Sequence, residues 1–216
     1  MGSLRKVLVC LIFLGSCVLL SAAVVGAGTI TYTASYSLNP TNWNTTLSFP
    51  KFDQNCECLQ SICFQLDGHV EGMARFESMD GAPATITMNL QSTITLYRPD
   101  MTALVVVIPL ANTSDNVTAY DGIFDYGGTS GKTYSGLTGN ATDTKCSSTA
   151  ADKALFCGTG NISLPIYAAG TSNGSGAGNL VLNFSTSASA SATVTYTYDC
   201  GTATEPSTWG RIKVMF

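Results

Sequence analysis

Residues 85–97, with the sequence TITMNLQSTITLY, alternate between apolar and polar side chains. The apolar positions fall two residues apart, at Ile86, Met88, Leu90, Ile94 and Leu96. Successive side chains of a β-strand point to opposite sides, so these residues share one face while hydroxyl and amide groups fill the other. The pattern predicts a strand with one face on a core and the other in water.

The same period of two recurs along the chain. Similar segments lie at 30–36, 62–66, 70–76, 161–167, 180–184 and 193–198, while 104–110 is a continuous apolar run. We expect a hairpin that turns at Asp67-Gly68, burial of 104–110 on both faces, and loops at 126–151 and 168–178. Alternating Ser and Ala at 187–192 favour a strand of small side chains that lets two sheets approach closely. No segment has the pattern of a helix of three turns. The chain is therefore predicted to be all-β: a single β-sandwich of jelly-roll or Greek-key type with about eight to ten antiparallel strands.

The composition excludes several classes of protein. Only 11% of the 216 residues are charged, against roughly 25% in average globular domains. The 22 Ser and 28 Thr residues replace the long charged side chains that favour helices, which argues against a helical bundle or a coiled coil. A net charge of −4 and a pI near 4.7 argue against nucleic-acid binding.

The N-terminus has the pattern of an export signal. Arg5 and Lys6 precede an apolar run at 7–25, and Val25-Gly26-Ala27 supplies small residues for a signal peptidase. We expect a helical signal peptide at 1–27, export by the Sec route to the cell surface or extracellular space, a β-sandwich domain at 28–200 and a tail at 201–216. Because the apolar run is long for a signal, an uncleaved anchor is the alternative, and it would be the only contact with a membrane.

Six cysteines follow the leader: Cys56, Cys58, Cys63, Cys146, Cys157 and Cys200. An even number in an exported chain predicts three disulfides. Cys146 and Cys157 flank a short turn-like segment, so we expect these two to pair with each other. The rival hypothesis is a zinc site on the first three cysteines with His69, although zinc ligands usually come in evenly spaced pairs.

Seven Asn-x-Ser/Thr sequons also follow the leader, which is more than the Ser and Thr content alone would give. Their asparagines are Asn44, Asn112, Asn116, Asn140, Asn161, Asn173 and Asn183. They predict N-linked glycans if the host glycosylates asparagine. Ser/Thr richness is the alternative explanation.

Little in the sequence predicts catalysis. His69 is the only histidine, no nucleophile motif accompanies it, and the strand pattern places it on a solvent-facing side with Glu71, Arg75 and Glu77. We therefore expect no enzyme, no catalytic residue and no cofactor. A glycoside hydrolase needs only two facing carboxylates, and the candidates for such a pair are Glu71, Glu77, Asp121 and Asp125.

Two binding hypotheses rest on polar loops. Calcium prefers oxygen-rich turns, and three aspartates share one such turn: Asp115, Asp121 and Asp125. Simple Asx turns are the alternative, because the spacing of a calcium-binding EF-hand is absent. Exposed aromatic rings can stack on sugars, and the candidate rings outside the predicted strands are Trp43, Tyr120, Tyr134 and Trp209.

From about residue 30 to residue 198, the chain resembles the choice-of-anchor E family of exported prokaryotic surface domains. The likeness is carried by FPKFD at 49–53, ICFQLDG at 62–68, FES at 76–78, GTGNI at 158–162 and TVTYTY at 193–198. The resemblance implies an exported β-sandwich, generally followed by a sorting or anchoring signal, and it implies no activity. The six cysteines depart from the family's pattern. So does 205–216, which lacks an apolar spanning segment and puts C-terminal anchoring in doubt.

These features together predict a non-catalytic structural or adhesive protein of an envelope layer, sheath or matrix. The expected partners are further copies of the chain or other envelope components, with glycans as another ligand class. Residues 211–216, RIKVMF, alternate like a strand and would supply the joint between copies. A secreted carbohydrate-binding module is the alternative.

Overall fold

A computed structural model of the protein describes residues 26–201. These residues form ten strands, one short 3-10 turn at Cys56–Cys58 and one short helix. In chain order the elements are β1 (Ala27–Pro40), β2 (Trp43–Pro50), β3 (Leu59–Ser78), β4 (Ala84–Tyr97), β5 (Ala103–Val107), β6 (Leu110–Val117), β7 (Gly131–Ser147), α1 (Ala150–Phe156), β8 (Asn161–Gly170), β9 (Asn173–Ser175) and β10 (Leu180–Asp199).

The strands build two antiparallel sheets that face each other. The first sheet has the order β1-β10-β3-β7, and the second has the order β2-β8-β4-β5. In the second sheet β6 continues the line of β5 along β4, and β9 continues the line of β8. Eight strand positions with this alternation between sheets make a jelly roll. The predicted all-β sandwich is therefore confirmed.

The core lies between the sheets, where the period of two placed it. All the apolar positions of β4 named above are fully buried. The alternating Ser and Ala residues of β10 do form a strand of small side chains, with Ala188, Ala190 and Ala192 buried against the other sheet. Since these residues fill little volume, larger rings such as Phe64 and Phe156 pack beside them, with ring centres 5.0 Å apart.

The predicted hairpin at Asp67-Gly68 is wrong, because both residues lie inside the single long strand β3. The ladders to β10 and to β7 continue through these positions on both sides. Gly68 is required by packing rather than by a turn: a Cβ there would lie 2.8 Å from a methyl of Val107 and 3.0 Å from Ile94 in the opposite sheet. A glycine after a short polar residue can thus mark close sheet packing instead of a turn.

Two further predictions about local structure need correction. Most of the predicted loop 126–151 is strand β7 and the start of α1, because β7 needs few apolar side chains at the edge of its sheet. The predicted loop 168–178 likewise contains the end of β8 and all of β9. Residues 104–110 are not buried on both faces, since Val106, Ile108 and Leu110 are 40%, 51% and 44% exposed.

Three disulfides link distant parts of the chain: Cys56–Cys157, Cys58–Cys200 and Cys63–Cys146. The predicted number is confirmed, but the predicted Cys146–Cys157 pairing is wrong. Cys63 and Cys146 stand directly opposite each other on β3 and β7, and a bridge between Phe52 and Cys157 brings the latter to Cys56. With all three cysteines of the zinc hypothesis in disulfides, that hypothesis is also wrong. Three disulfides indicate an oxidising environment of the extracellular type.

Candidate functional site

A group of exposed apolar side chains lies on the second sheet, along the β5–β6 line at its edge, in the turn before that line and on β8. We call it the apolar edge, and its members are Met101, Val106, Ile108, Leu110 and Tyr167. Alternate residues of the β5–β6 line point outward because a strand has a period of two. Val106 and Tyr167 both stand opposite Thr95, so they belong to one row across β5, β4 and β8.

Aromatic contacts give this edge a fixed shape. The ring of Tyr167 lies 5.2 Å from that of Tyr97, and its hydroxyl is 3.9 Å from the sulfur of Met101. Arg98, at the start of the adjacent turn, is anchored to Asp152 of α1 through two hydrogen bonds of 2.7 and 2.9 Å. These hydrogen bonds hold the turn between β4 and β5, which includes Met101 of the apolar edge, against α1.

The backbone of β5 is unpaired on its outer side within residues 26–201. Its only ladder there is the one to β4. Soluble proteins usually protect such an edge with charged side chains or a covering loop. No charged residue occurs at 101–114, so charged side chains do not protect the edge. The nearest other strand is β7 of the first sheet, where Gly139 packs against the Leu110 backbone. An unpaired strand beside exposed apolar side chains is a surface suited to pairing with another polypeptide.

The outer face of the first sheet carries polar side chains and a shallow groove of about 390 Å³. His69 lies in this groove, one-third exposed, with its Nδ1 2.8 Å from the amide oxygen of Asn140 and its Nε2 3.7 Å from the Glu71 carboxylate. The predicted solvent-facing position of His69 is confirmed. Five of the eleven other lining residues are Ser or Thr, and none of their hydroxyls is paired with this histidine.

Glu77 departs from the predicted solvent-facing set, because it is completely buried. The loop between β6 and β7 folds over it, and its two carboxylate oxygens accept hydrogen bonds from the Ser130 hydroxyl at 2.6 Å and from the Tyr126 backbone N–H at 2.8 Å. Arg75 lies 4.3 Å above the Tyr126 ring. Glu77 thus holds the loop in place, because both of its carboxylate oxygens accept hydrogen bonds from it.

The three aspartates of the calcium hypothesis serve separate local structures. Asp115 pairs with Lys132 at 2.7 Å. Asp121 accepts the backbone N–H groups of Ile123 and Thr129, which lower the pKa of its carboxyl, and Asp125 accepts the N–H of Gly127. Within the described part of the chain, no three His, Cys, Asp or Glu side chains are grouped so as to hold a metal ion. The hydrogen bonds of Asp121 and Asp125 are those of Asx turns, whereas Asp115 forms an ion pair.

The three described aromatic residues of the sugar-binding hypothesis lie on different elements and do not form one platform. Trp43 is the first residue of β2 and packs on Tyr36, with ring centres 4.7 Å apart, while its indole N–H donates to the Ala188 carbonyl. Tyr134 lies on β7 against a different hydrophobic cluster, and Tyr120 is half-buried in the β6–β7 loop. Trp209 lies outside the described residues, as do the rest of the tail at 202–216 and the predicted signal peptide up to residue 25.

All seven sequon asparagines lie on strands and are exposed to solvent. Three of them, Asn112, Asn116 and Asn173, are on the outer face of the second sheet, where Asn89 lies between two of them. Asn140 and Asn183 lie on the first sheet. Among residues 26–201, no helix is long and apolar enough to cross a membrane.

Comparisons with known proteins give a distant structural likeness and no family. No protein-family model and no curated protein matches the chain. The VP2 subviral particle of infectious bursal disease virus aligns over 81% of this chain and 38% of its own, at 14% identity and a TM-score of 0.26. The Gx strain of that virus aligns over 83% and 38%, at 12% identity and a TM-score of 0.18. The chain thus spans well under half the length of these proteins, and scores this low support no inference about function.

The apolar edge is the feature that sequence reasoning missed. The run 103–108, ALVVVI, favours a buried strand because nothing in it alternates between apolar and polar. The signal that could have identified this edge is the lack of charged residues at 101–114, on both sides of Pro109. A strand buried on both faces lies in the middle of a sheet, where proline is excluded, whereas proline is tolerated at an edge.

Proposed function

We propose that this chain is exported and works as a non-catalytic structural or adhesive protein, whose copies associate into an envelope layer, sheath or matrix. The observation that carries the proposal is the apolar edge, with its unpaired strand β5. The partner that pairs with that edge is a second copy of the same chain. Two identical edge strands can pair antiparallel around a two-fold axis, so that each copy presents the same surface to the other. Two-fold symmetry of this kind is the commonest symmetry of homo-oligomers.

The magnitude of the burial fits association that depends on concentration. Full burial of a Val, Leu or Ile side chain stabilises by about 1.5–3 kcal/mol. Val106, Ile108 and Leu110 are already about half buried, so covering the remainder contributes about 1 kcal/mol each, or about 6 kcal/mol for two copies. Loss of translational and rotational freedom costs at least about 4 kcal/mol. Backbone hydrogen bonds along β5 and local crowding at a cell surface would then decide the extent of assembly.

Multi-angle light scattering on size exclusion tests the proposal directly. The chain from residue 28, with its disulfides oxidised, should elute as a dimer or a larger species whose mass increases with protein concentration. The Val106→Asp variant places a charge in the proposed contact and should shift the population to monomer. Ser114→Asp is the matched control, because it adds the same charge at an exposed position of neighbouring β6 and should leave the mass unchanged.

A single mass of one chain at every concentration would refute self-association. The tail hypothesis is separable, because Val214→Asp with Phe216→Asp would abolish assembly if residues 211–216 form the joint, while Val106→Asp would not. Export would also bring the seven sequons into the compartment where asparagine-linked glycosylation takes place.

A further inference from the structure

The sequons of this chain share one geometry. In all seven, both the asparagine and the Ser or Thr two residues later are exposed, while the residue between them is buried or half-buried. The cause is the strand itself, since residues i and i+2 lie on the same face of a strand. Each sequon therefore presents its two recognition side chains together on the outer surface of the folded domain.

The hydrogen bonds of the amide groups divide the seven sequons into two sets. The sugar in an N-linked glycan is carried by the amide nitrogen Nδ2. At Asn116, Asn140 and Asn183 only the amide oxygen is engaged, by Thr85 at 2.7 Å, His69 at 2.8 Å and Arg75 at 3.2 Å.

Asn44 belongs to the same set, because neither amide atom makes a side-chain hydrogen bond within the described residues and Nδ2 is free. It stands opposite Tyr167, at the border of the apolar edge. In these four residues the nitrogen that accepts sugar faces solvent without a competing partner.

The other three asparagines use their amide nitrogen as a donor. Asn112 donates to Asn89 at 2.6 Å, Asn89 donates to Asn173 at 3.0 Å, and Asn173 donates to the Thr171 carbonyl at 3.3 Å. These amides form one row across three adjacent strands, which lie about 4.8 Å apart. Asn161 donates to the Ser48 hydroxyl at 3.1 Å. Transfer of a glycan to any of these nitrogens must disturb an existing hydrogen bond, and in the row it must also crowd a neighbouring amide.

We propose that Asn44, Asn116, Asn140 and Asn183 carry N-linked glycans on the mature domain, in preference to the other three sequons. The proposal rests on the export that the proposed function assumes. The donor is a lipid-linked oligosaccharide with a phosphate or diphosphate at the sugar's anomeric carbon. The new bond joins Nδ2 to that carbon, the sugar–phosphate bond breaks, Nδ2 loses one proton, and the lipid phosphate leaves.

The four sites cover the two outer faces; Asn44 lies beside Tyr167 at the border of the apolar edge, and none of the four lies on β5. Asn140 and Asn183 lie on the first sheet and Asn116 on the second, while no sequon begins within residues 101–111. The glycans would solvate faces that have few charged side chains, which is a general effect of surface glycosylation. The strand edge proposed for self-association would remain accessible.

Glycopeptide mass spectrometry on the protein purified from its own exporting cells tests the assignment. Two proteases of different specificity would place each sequon on its own peptide, and occupancy is the fraction of that peptide with a glycan mass increment. We expect high occupancy at the four sites and low occupancy at Asn112, Asn161 and Asn173. Unmodified peptides at all four sites, or equal occupancy at all seven, would overturn the proposal.

Variants at one site give an internal control. Asn183→Gln and Ser185→Ala remove the same sequon through different residues, so each should lower the intact mass by the same single glycan. Asn179→Gln changes an exposed asparagine outside any sequon and should leave the glycan mass unaltered. Light scattering on the deglycosylated protein keeps the two proposals apart, because loss of the glycans should not abolish association through the apolar edge.

Discussion

The Arg98–Asp152 ion pair offers the sharpest test of how the β4–β5 turn is held to α1. The carboxylate of Asp152 is 6% exposed and the Arg98 side chain 25% exposed. Their paired hydrogen bonds, with further hydrogen bonds from the side chains of Ser147 and Thr149, lower the pKa of Asp152 to about 2 from an ordinary value of 3.8. Each pKa unit corresponds to about 1.4 kcal/mol, so the charged carboxylate stabilises the fold by about 2 kcal/mol relative to its protonated form.

The Asp152→Asn variant keeps the shape of the side chain and removes its charge. We expect the free energy of unfolding at pH 7 to fall by about 2–3 kcal/mol, because Arg98 is left without its counter-charge in a partly buried position. Urea unfolding followed by far-UV circular dichroism, with disulfides intact, measures this difference. Asp143→Asn is the control, since its pair with Lys145 is exposed and should contribute little.

The pH dependence of the difference gives an independent check. A carboxyl whose pKa is lowered by folding stabilises the native state above its unfolded pKa, and that contribution is lost as the pH falls through the folded pKa. The gap between the wild-type protein and Asp152→Asn should therefore be constant above about pH 5 and shrink between about pH 4 and pH 2. Equal stability at pH 7, or a gap that persists in full at pH 2, would refute this account of the pair.

Three further predictions concern packing and covalent links. Gly68→Ala should lower the free energy of unfolding by about 1–3 kcal/mol, because its Cβ would overlap side chains of the opposite sheet, while Gly81→Ala, with open space around it, should not change urea unfolding. Tyr196→Phe should cost about 1 kcal/mol in the same assay, since the buried hydroxyl donates a hydrogen bond of 2.9 Å to a backbone carbonyl. Replacing both Cys63 and Cys146 by Ala removes a link between positions 83 residues apart. We expect the free energy of unfolding to fall by about 4 kcal/mol, measured as a lower thermal unfolding midpoint.

Local sequence patterns predicted which residues face the core, and they failed where a residue's role is set by a distant strand. The alternation in β4 needed no knowledge of its neighbours, because one buried face is enough to specify it. Asp67-Gly68 has the sequence of a turn, but continuous ladders on both sides keep it extended. Strand β7 has too few apolar residues to be recognised alone, and it forms because β3 offers a long partner.

The prediction of the disulfide pairing failed for the same reason. Short loops are the least costly to close, which favoured Cys146 with Cys157 from sequence. In the fold, β7 ends beside the start of β3, so Cys146 meets Cys63 before the chain reaches α1. Disulfide pairing thus follows strand order, and strand order is not contained in any local pattern.

The same reasoning explains why the apolar edge and the sequons can coexist on one small domain. Alternation puts one polar or hydroxyl residue outward for every core residue, which creates sites for Asn-x-Ser/Thr wherever a strand is long. The line of β5 and β6 breaks this rule between residues 103 and 110, where apolar side chains point both inward and outward. Outward apolar side chains at an unpaired edge favour aggregation, and a fold of 216 residues with few charges has little other protection. A surface covered elsewhere by polar residues, and by the proposed glycans, would favour association at the one exposed apolar edge over indiscriminate aggregation.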